Sequence, residues 1–260
     1  MKIAIRILAT ATTLSLCMVG GAQDAQATQA IDPFIGAVET MKHSVAPLAC
    51  IAVNHAASKL LDRRGTAFFL STSGEFITAA HVVLDMQKND PPCPVTAVIL
   101  PSNKMWDPSA LNEPSEWFAF DIHHCKIERD LDVAKCPLSD DPFNQKVRRD
   151  FEIVPVKFDW RIPPDATQVA FTGFPMNVRD PMTFRANVAA YRPVWRSENS
   201  VPELVLDRGA WPGSSGSPVF LADGRVIGLL IASRTEEGTA MTTLRPASAV
   251  RTLLTGSEKW

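Results

Sequence analysis

The sequence predicts an all-β protein made of two units. Short runs of Val, Ile, Phe and Thr recur between turns, and Pro (20) outnumbers Gly (13). A polar stretch near mid-chain divides these runs into two sets of about six, each enough for a barrel or a sandwich. With 260 residues, 46% of them hydrophobic, the chain can bury one or two cores of ordinary size. A net charge of −2 gives no electrostatic case for nucleic acid or for an anionic membrane surface as partner.

The first residues read as an export signal. Lys2 and Arg6 form a basic start, and Ile7 to Gly21 is apolar or small, the length of a signal core and short for a membrane span. Ala25-Gln26-Ala27 is the preferred cleavage site over Gly20-Gly21-Ala22, so residues 1–27 are expected to be removed. The mature chain is then expected in the periplasm or outside the cell, with no membrane attachment. Removal takes Cys17 and leaves Cys50, Cys93, Cys125 and Cys136. An even count in an exported chain reads as two disulfides, with all three connectivities open. His123-His124 beside Cys125 fits no usual zinc spacing and reads as a surface pair, so no metal is expected.

Residues 28–140 then form an N-terminal arm and the first unit. A short helical stretch is expected near Phe34 to Lys42. Strand-like runs follow at Pro47–Val53, Gly65–Leu70 and Phe76–Ala80, the last ending at His81. Asn54–Arg64 and Ser71–Glu75 read as polar turns between them. Val95–Leu100 and Trp117–Ile122 suggest a hairpin across a long loop, and Leu131–Leu138 another strand. The polar stretch around Pro142, residues 141–150, is the best linker. Residues 151–260 resume the pattern at Phe151–Phe158, Gln168–Phe174, Thr183–Tyr191, Glu203–Leu206, Ser217–Leu221, Val226–Ala232 and Thr239–Thr243. They end in a helix over Pro246–Leu254, which has Pro at its start and apolar residues at helical spacing.

Three stretches carry chemistry. Gly213-Ser214-Ser215-Gly216 can hold a hydroxyl, Ser215, on a tight turn. The N–H groups of Gly213 and Ser215 would point at one spot, where an oxyanion forms when that hydroxyl attacks a carbonyl. The glycines permit a turn that a Cβ would block. A nucleophilic serine needs a base and a group that orients the base. His81, at the end of an apolar run, has the fixed support and the opening that a base needs. The orienting carboxylate is expected to be Asp132, which Val133 and Ala134 follow as apolar and small residues suited to a packed strand. Asp130 is the less favoured choice, since it would put Asp132 on the same face, where a second charge is costly to bury.

Gly65-Thr66-Ala67-Phe68, Thr78-Ala79-Ala80-His81, Asp132-Val133-Ala134 and Gly213-Ser214-Ser215-Gly216-Ser217-Pro218 occur in this order. Together they resemble the chymotrypsin/trypsin-like serine endopeptidases, in particular the bacterial HtrA-type proteases and secreted glutamyl endopeptidases. Gly173-Phe174-Pro175 also resembles a motif of that branch. The resemblance spans roughly residues 45–255 and implies two perpendicular six-stranded antiparallel β-barrels with the site between them. It implies His81 as general base and then acid, Asp132 as orienter, Ser215 as nucleophile, and Gly213 and Ser215 as oxyanion donors. Ile231-Ala232-Ser233 would pair with substrate backbone and form one wall of the pocket for the residue before the scissile bond (P1).

Trypsin-type members that cut after Arg or Lys carry an Asp six residues before the nucleophile, where this chain has Gly209. A pocket lined by Gly209, Ile231 and Ala232 instead suits small or medium aliphatic P1 residues. Ser214 stands where zymogen-type members have an Asp, so activation through a new N-terminus is not expected. The stretch after Ser215 suffices for the rest of a barrel and a helix, without a PDZ domain, and a monomer is the expected state. The reading is therefore an exported serine endopeptidase acting on polypeptides without cofactor. The alternatives are a protease-fold binding protein without turnover and an esterase using the same three residues.

Overall fold

The computed structural model describes residues 32–54, 58–88, 92–100, 117–139, 153–196, 199–236 and 239–255. The expected export signal (1–27) and the expected linker (141–150) lie outside the described residues.

The first described element is helix α1 (Ile35–Lys42), which buries Ala37 and Met41. Asp32 caps the preceding turn by accepting from the Phe34 N–H (2.9 Å). Seven strands then form one sheet. They are β1 (Val45–Val53), β2 (Ser58–Phe69), β3 (Phe76–Ala79), β4 (Val95–Ile99), β5 (Trp117–Ala119), β6 (Lys126–Glu128) and β7 (Val133–Cys136). Their spatial order is β5-β4-β1-β2-β3-β7-β6. Leu48, Phe69, Phe76, Val83, Val98 and Phe120 belong to the core on one of its faces.

This sheet departs from the expected closed six-stranded barrel. The three-residue β6 occupies the free edge of β7, so β5 cannot pair there and complete the circuit. The edges still approach each other: Ser139, just past β7, donates its N–H to the carbonyl of Ala119 in β5 (2.8 Å). Both disulfides stitch this sheet. Cys50–Cys93 ties β1 to the segment leading into β4, and Cys125–Cys136 brackets the turn between β6 and β7.

The second unit is a closed barrel in the order β10-β13-β12-β11-β8-β9. Its strands are β8 (Gln168–Gly173), β9 (Met182–Arg196), β10 (Asn199–Leu206), β11 (Pro218–Phe220), β12 (Val226–Glu236) and β13 (Thr239–Pro246). The two-residue period of a strand divides its side chains between two layers. Val169 and Phe171 of β8 fill the barrel with Leu204, Val219, Leu230 and Leu244. Ala170, between them, faces a layer that also holds Phe68, Ile77 and Val133 of the first sheet. That shared layer is what joins the two units. The last described elements are a short 3-10 turn (Ala247–Val250) running into α3 (Arg251–Thr255).

Several element boundaries differ from expectation for identifiable reasons. Asn54–Arg64 is not a turn throughout, because β2 begins at Ser58. There β2 pairs with the end of β1, Val53 facing Ser58 and Ile51 facing Leu60. Leu60 packs on the cluster of Ile51 and Ile99, and Ser58 accepts from Trp117 Nε1 (3.2 Å), while Lys59 and Leu61 are exposed. Phe151–Phe158 does not form a strand over its described part. Pro155 lacks a donor, and only Phe158 makes a bridge, to Val226. The strand from Trp117 stops at Ala119. A 3-10 turn over Ile122–His124 follows, with the Asp121 carboxylate accepting from the His123 N–H (2.9 Å).

Candidate active site

His81 sits one residue inside a helix that the sequence reading did not include. Strand β3 runs directly into α2 (Ala80–Lys88), whose Val82, Val83 and Met86 are buried. The buried face fixes the helix, and His81 is left on its first turn with 39% of its side chain exposed. Helix starts present N–H groups that have no partner within the helix. Asp132 supplies partners for two of them. Its carbonyl accepts from the Ala80 N–H (3.1 Å), and its Oδ1 accepts from the His81 N–H (2.9 Å). Its Oδ2 lies 2.8 Å from His81 Nδ1. A carboxylate can only accept, so Nδ1 carries the proton and the neutral ring keeps a lone pair on Nε2.

Asp132 reaches this position from a turn, not from within a strand. Its N–H donates to the Arg129 carbonyl (3.1 Å), β7 begins at Val133, and its φ is +54°. Aspartate tolerates this left-handed region better than most residues, but the conformation is still uncommon and marks a place held by its surroundings. Asp130, on the same turn, is exposed.

The loop bearing Ser215 belongs to the second barrel yet is bonded to the first sheet. The Thr66 N–H donates to the Ser215 carbonyl (2.9 Å), and Thr66 Oγ1 donates to the Gly213 carbonyl (2.9 Å). The same Oγ1 accepts from the Phe174 N–H (3.0 Å), and Thr78 Oγ1 donates to the Thr66 carbonyl (2.7 Å). Gly216, at φ +86°, shows how close the approach is: a Cβ there would lie 2.0 Å from the Thr66 oxygen and 3.1 Å from the Ala79 nitrogen. Ser215 is therefore anchored beside the strand end that leads into His81. The sequence motifs that contain Thr66 and Thr78 do not reveal this bonding role. The available signal was a hydroxyl residue inside each of two otherwise apolar runs.

Backbone N–H groups in this loop alternate in use. Those of Ser214, Gly216 and Ser217 donate to Trp211, Leu230 and Ser214. Among the described residues, the N–H groups of Gly213 and Ser215 donate no backbone hydrogen bond. Gly213 has φ +93°, and a Cβ there would stand 2.5 Å from the Phe174 carbonyl oxygen. The turn Pro175–Asn177 packs beside it, its Met176 N–H donating to Pro212 (2.6 Å). Such a pair of unengaged donors beside a hydroxyl can receive a negatively charged oxygen.

The expected pocket residues divide. Gly209 is half-buried, and a Cβ on it would lie 2.3 Å from that of Ala240. Ser233 Oγ accepts from the Ala210 N–H (3.2 Å), and Ala232 and Ser233 are exposed. Ile231 is 2% exposed and its side chain belongs to the layer between the units. Its side chain is thus turned away from any pocket wall, because the two-residue period of β12 puts it in that layer with Leu229, while Leu230 fills the barrel. Among the described residues, no three His, Cys, Asp or Glu side chains stand together as metal ligands.

The trypsin-like peptidase domain family matches residues 65–229. The sequence matches no curated protein. Among solved structures, the active form of the Rv3671c protease from M. tuberculosis is similar, with a TM-score of 0.59 at 14% identity, over 86% of this chain and 85% of that one. The inactive form of the same protease gives 0.59 at 14%, over 85% and 92%. At such identity the likeness concerns the fold. The family match covers more than half of the sequence and includes His81, Asp132 and Ser215, and the chain belongs to the family of trypsin-like peptidase domains.

Proposed function

We propose that the protein is an exported serine endopeptidase. Ser215 Oγ attacks the scissile carbonyl while His81 Nε2 takes its proton. The oxyanion is received by the N–H groups of Gly213 and Ser215. His81 then gives the proton to the leaving amine, and water, activated by the same ring, hydrolyses the acyl-enzyme. Asp132 keeps the Nδ1–H tautomer and stabilises the imidazolium. The observation that carries this reading is the commitment of both Asp132 oxygens to His81, at 2.9 Å and 2.8 Å. It is joined by the bonding of the Ser215 loop to the strands that lead to that histidine.

The substrates are polypeptides, cut after small or aliphatic residues. Gly209 leaves no charge for a basic P1 side chain, and the Ala240 methyl group crowds the same spot. The mature enzyme works as a monomer without metal or cofactor, in the periplasm or outside the cell, after loss of residues 1–27. A peptide-library profile dominated by Arg, Lys or Glu at P1 would remove the specificity assignment.

The test compares the mature chain with Ser215→Ala. Wild type is expected to take a fluorophosphonate label and to cleave unfolded casein. The variant is expected to do neither, since loss of one member of such a triad costs on the order of 10⁴–10⁶ in turnover. A folded wild type that neither labels nor cleaves overturns the reading in favour of a binding protein on a protease fold. Turnover of simple esters without peptides would point to an esterase.

A further inference from the structure

Arg245, in β13, is fully buried and is the bulkiest fully buried side chain. Its guanidinium reaches out of the second barrel to the first unit. Nε donates to the carbonyl of Leu131 (2.7 Å), the residue immediately before Asp132. Another of its nitrogens donates to the Pro202 carbonyl, and a third lies 3.6 Å from Glu203 Oε1. Glu203 is itself 3% exposed, and its other oxygen stands 3.6 Å from Arg192 on the barrel surface.

A buried ion pair is a poor device for stabilising a fold, because apolar residues of the same volume do as well or better. What an apolar residue at 245 could not do is donate to the Leu131 carbonyl. That bond has a specific geometric effect. The Leu131–Asp132 peptide is held at both ends, its carbonyl by Arg245 and its N–H by the Arg129 carbonyl (3.1 Å). The orientation of this peptide sets φ of Asp132. The observed +54° is a value the chain avoids without support, and it belongs to the conformation in which the carboxylate faces His81.

Resting on the endopeptidase reading, we infer that Arg245 is a positioning residue that holds Asp132 turned onto His81. Through this contact the barrel that carries Ser215 also fixes the pair carried by the other unit. Glu203, 3.6 Å away, offsets the guanidinium charge, and the two carbonyls orient it. Arg245 touches no reacting atom, so its loss acts on turnover and leaves substrate affinity alone.

The experiment uses the mature chain, Arg245→Lys, and the double variant Arg245→Met/Glu203→Met, which replaces the buried pair with apolar groups. Three readouts are compared: thermal melting, kcat and KM on a peptide substrate, and the low-field proton resonance of the His81 Nδ1–H in ¹⁵N-histidine-labelled protein. The double variant is expected to melt cooperatively, to lose or broaden the resonance, and to lose on the order of 10²-fold in kcat with KM unchanged, the scale of an ångström-sized misplacement. A lysine ammonium lacks the planar fork that binds two carbonyls in fixed geometry, so Arg245→Lys should lose about tenfold. A folded double variant with the resonance and kcat of wild type overturns the inference. If the double variant does not fold, Arg245→Lys decides it by the same two readouts. A wild type that shows the resonance without any turnover refutes the endopeptidase reading, and the resonance in the variants then decides the role of Arg245 alone.

Discussion

The first sheet has both disulfides and a perimeter its strands leave open. The second barrel has a full ring of paired strands and no cysteine in its sequence. The two halves of the site inherit this contrast. His81 and Asp132 sit in the unit held by cross-links, with the Cys125–Cys136 bridge enclosing the turn that carries Asp132. Ser215 sits on a loop held by hydrogen bonds, several of them to the other unit. A continuous ladder distributes support over many weak bonds. An open sheet concentrates it in a few strong ones, and the consequences of damage should differ accordingly.

The largest effect is expected in the cross-linked half. Asp132→Asn should leave the fold intact and lower kcat by about 10⁴, because an amide favours the wrong imidazole tautomer. Asp130→Asn should change it by no more than a few-fold. Equal losses in steady-state assays would mean that the turn, and not its one inward carboxylate, matters. Next comes the hydrogen-bonded half. Gly213→Ala meets both a left-handed backbone and the Phe174 carbonyl. Displacing one oxyanion donor in this way should cost roughly 10²–10³ in kcat. The histidine resonance should stay unchanged, and its loss would show that the halves cannot be perturbed separately. The smallest effect on turnover, and the sharpest test of the contrast, is removal of the cross-links. With sequence separations of 43 and 11, loop-closure entropy assigns about 4 and about 3 kcal/mol to Cys50–Cys93 and Cys125–Cys136. Limited proteolysis of the paired Cys→Ala variants should cut first between residues 45 and 139. Simultaneous cleavage in both units would show that they share one cooperative transition.

Much of this organisation could be read from the sequence, and the exceptions have physical causes. Apolar runs marked the strands that bury a face, the small residues before His81 marked where one of them turns, and Val133-Ala134 marked a packed strand beside Asp132. The stretch from Ser58 to Arg64 left no such mark, since its residues are mostly polar and Leu61 is exposed beside the packed Leu60. Helix α2 was hidden by β3, because Phe76 to Val83 is an almost unbroken apolar run and no polar residue separates strand from helix. Its spacing of Ala80, Val83 and Met86 was the signal available. The cysteine pairing depends on which strands are neighbours, and that is decided by contacts remote in sequence. Arg245 is harder still. Arginine is seldom fully buried, so a strand reading places it at the surface. The Leu131 and Pro202 carbonyls and the Glu203 carboxylate, all far away in the chain, explain why it is inside.

Helix α1 comes at the start of the described chain, ahead of the first sheet, yet it docks on the second unit. Phe34 lies against Phe220 (6.4 Å between ring centroids) and under the Arg185 guanidinium (3.8 Å), which also grips Asp32. The segment that precedes the first sheet thus has its resting place built from residues of the second barrel, Arg185 lying 153 positions after its partner Asp32. Until that barrel forms, Phe34, Ala37 and Met41 lack part of their cover and the shared layer lacks one wall. A first sheet folded ahead of the barrel would be a partly uncovered form for chaperones to shelter. Completion of the barrel then covers the arm and the shared layer together.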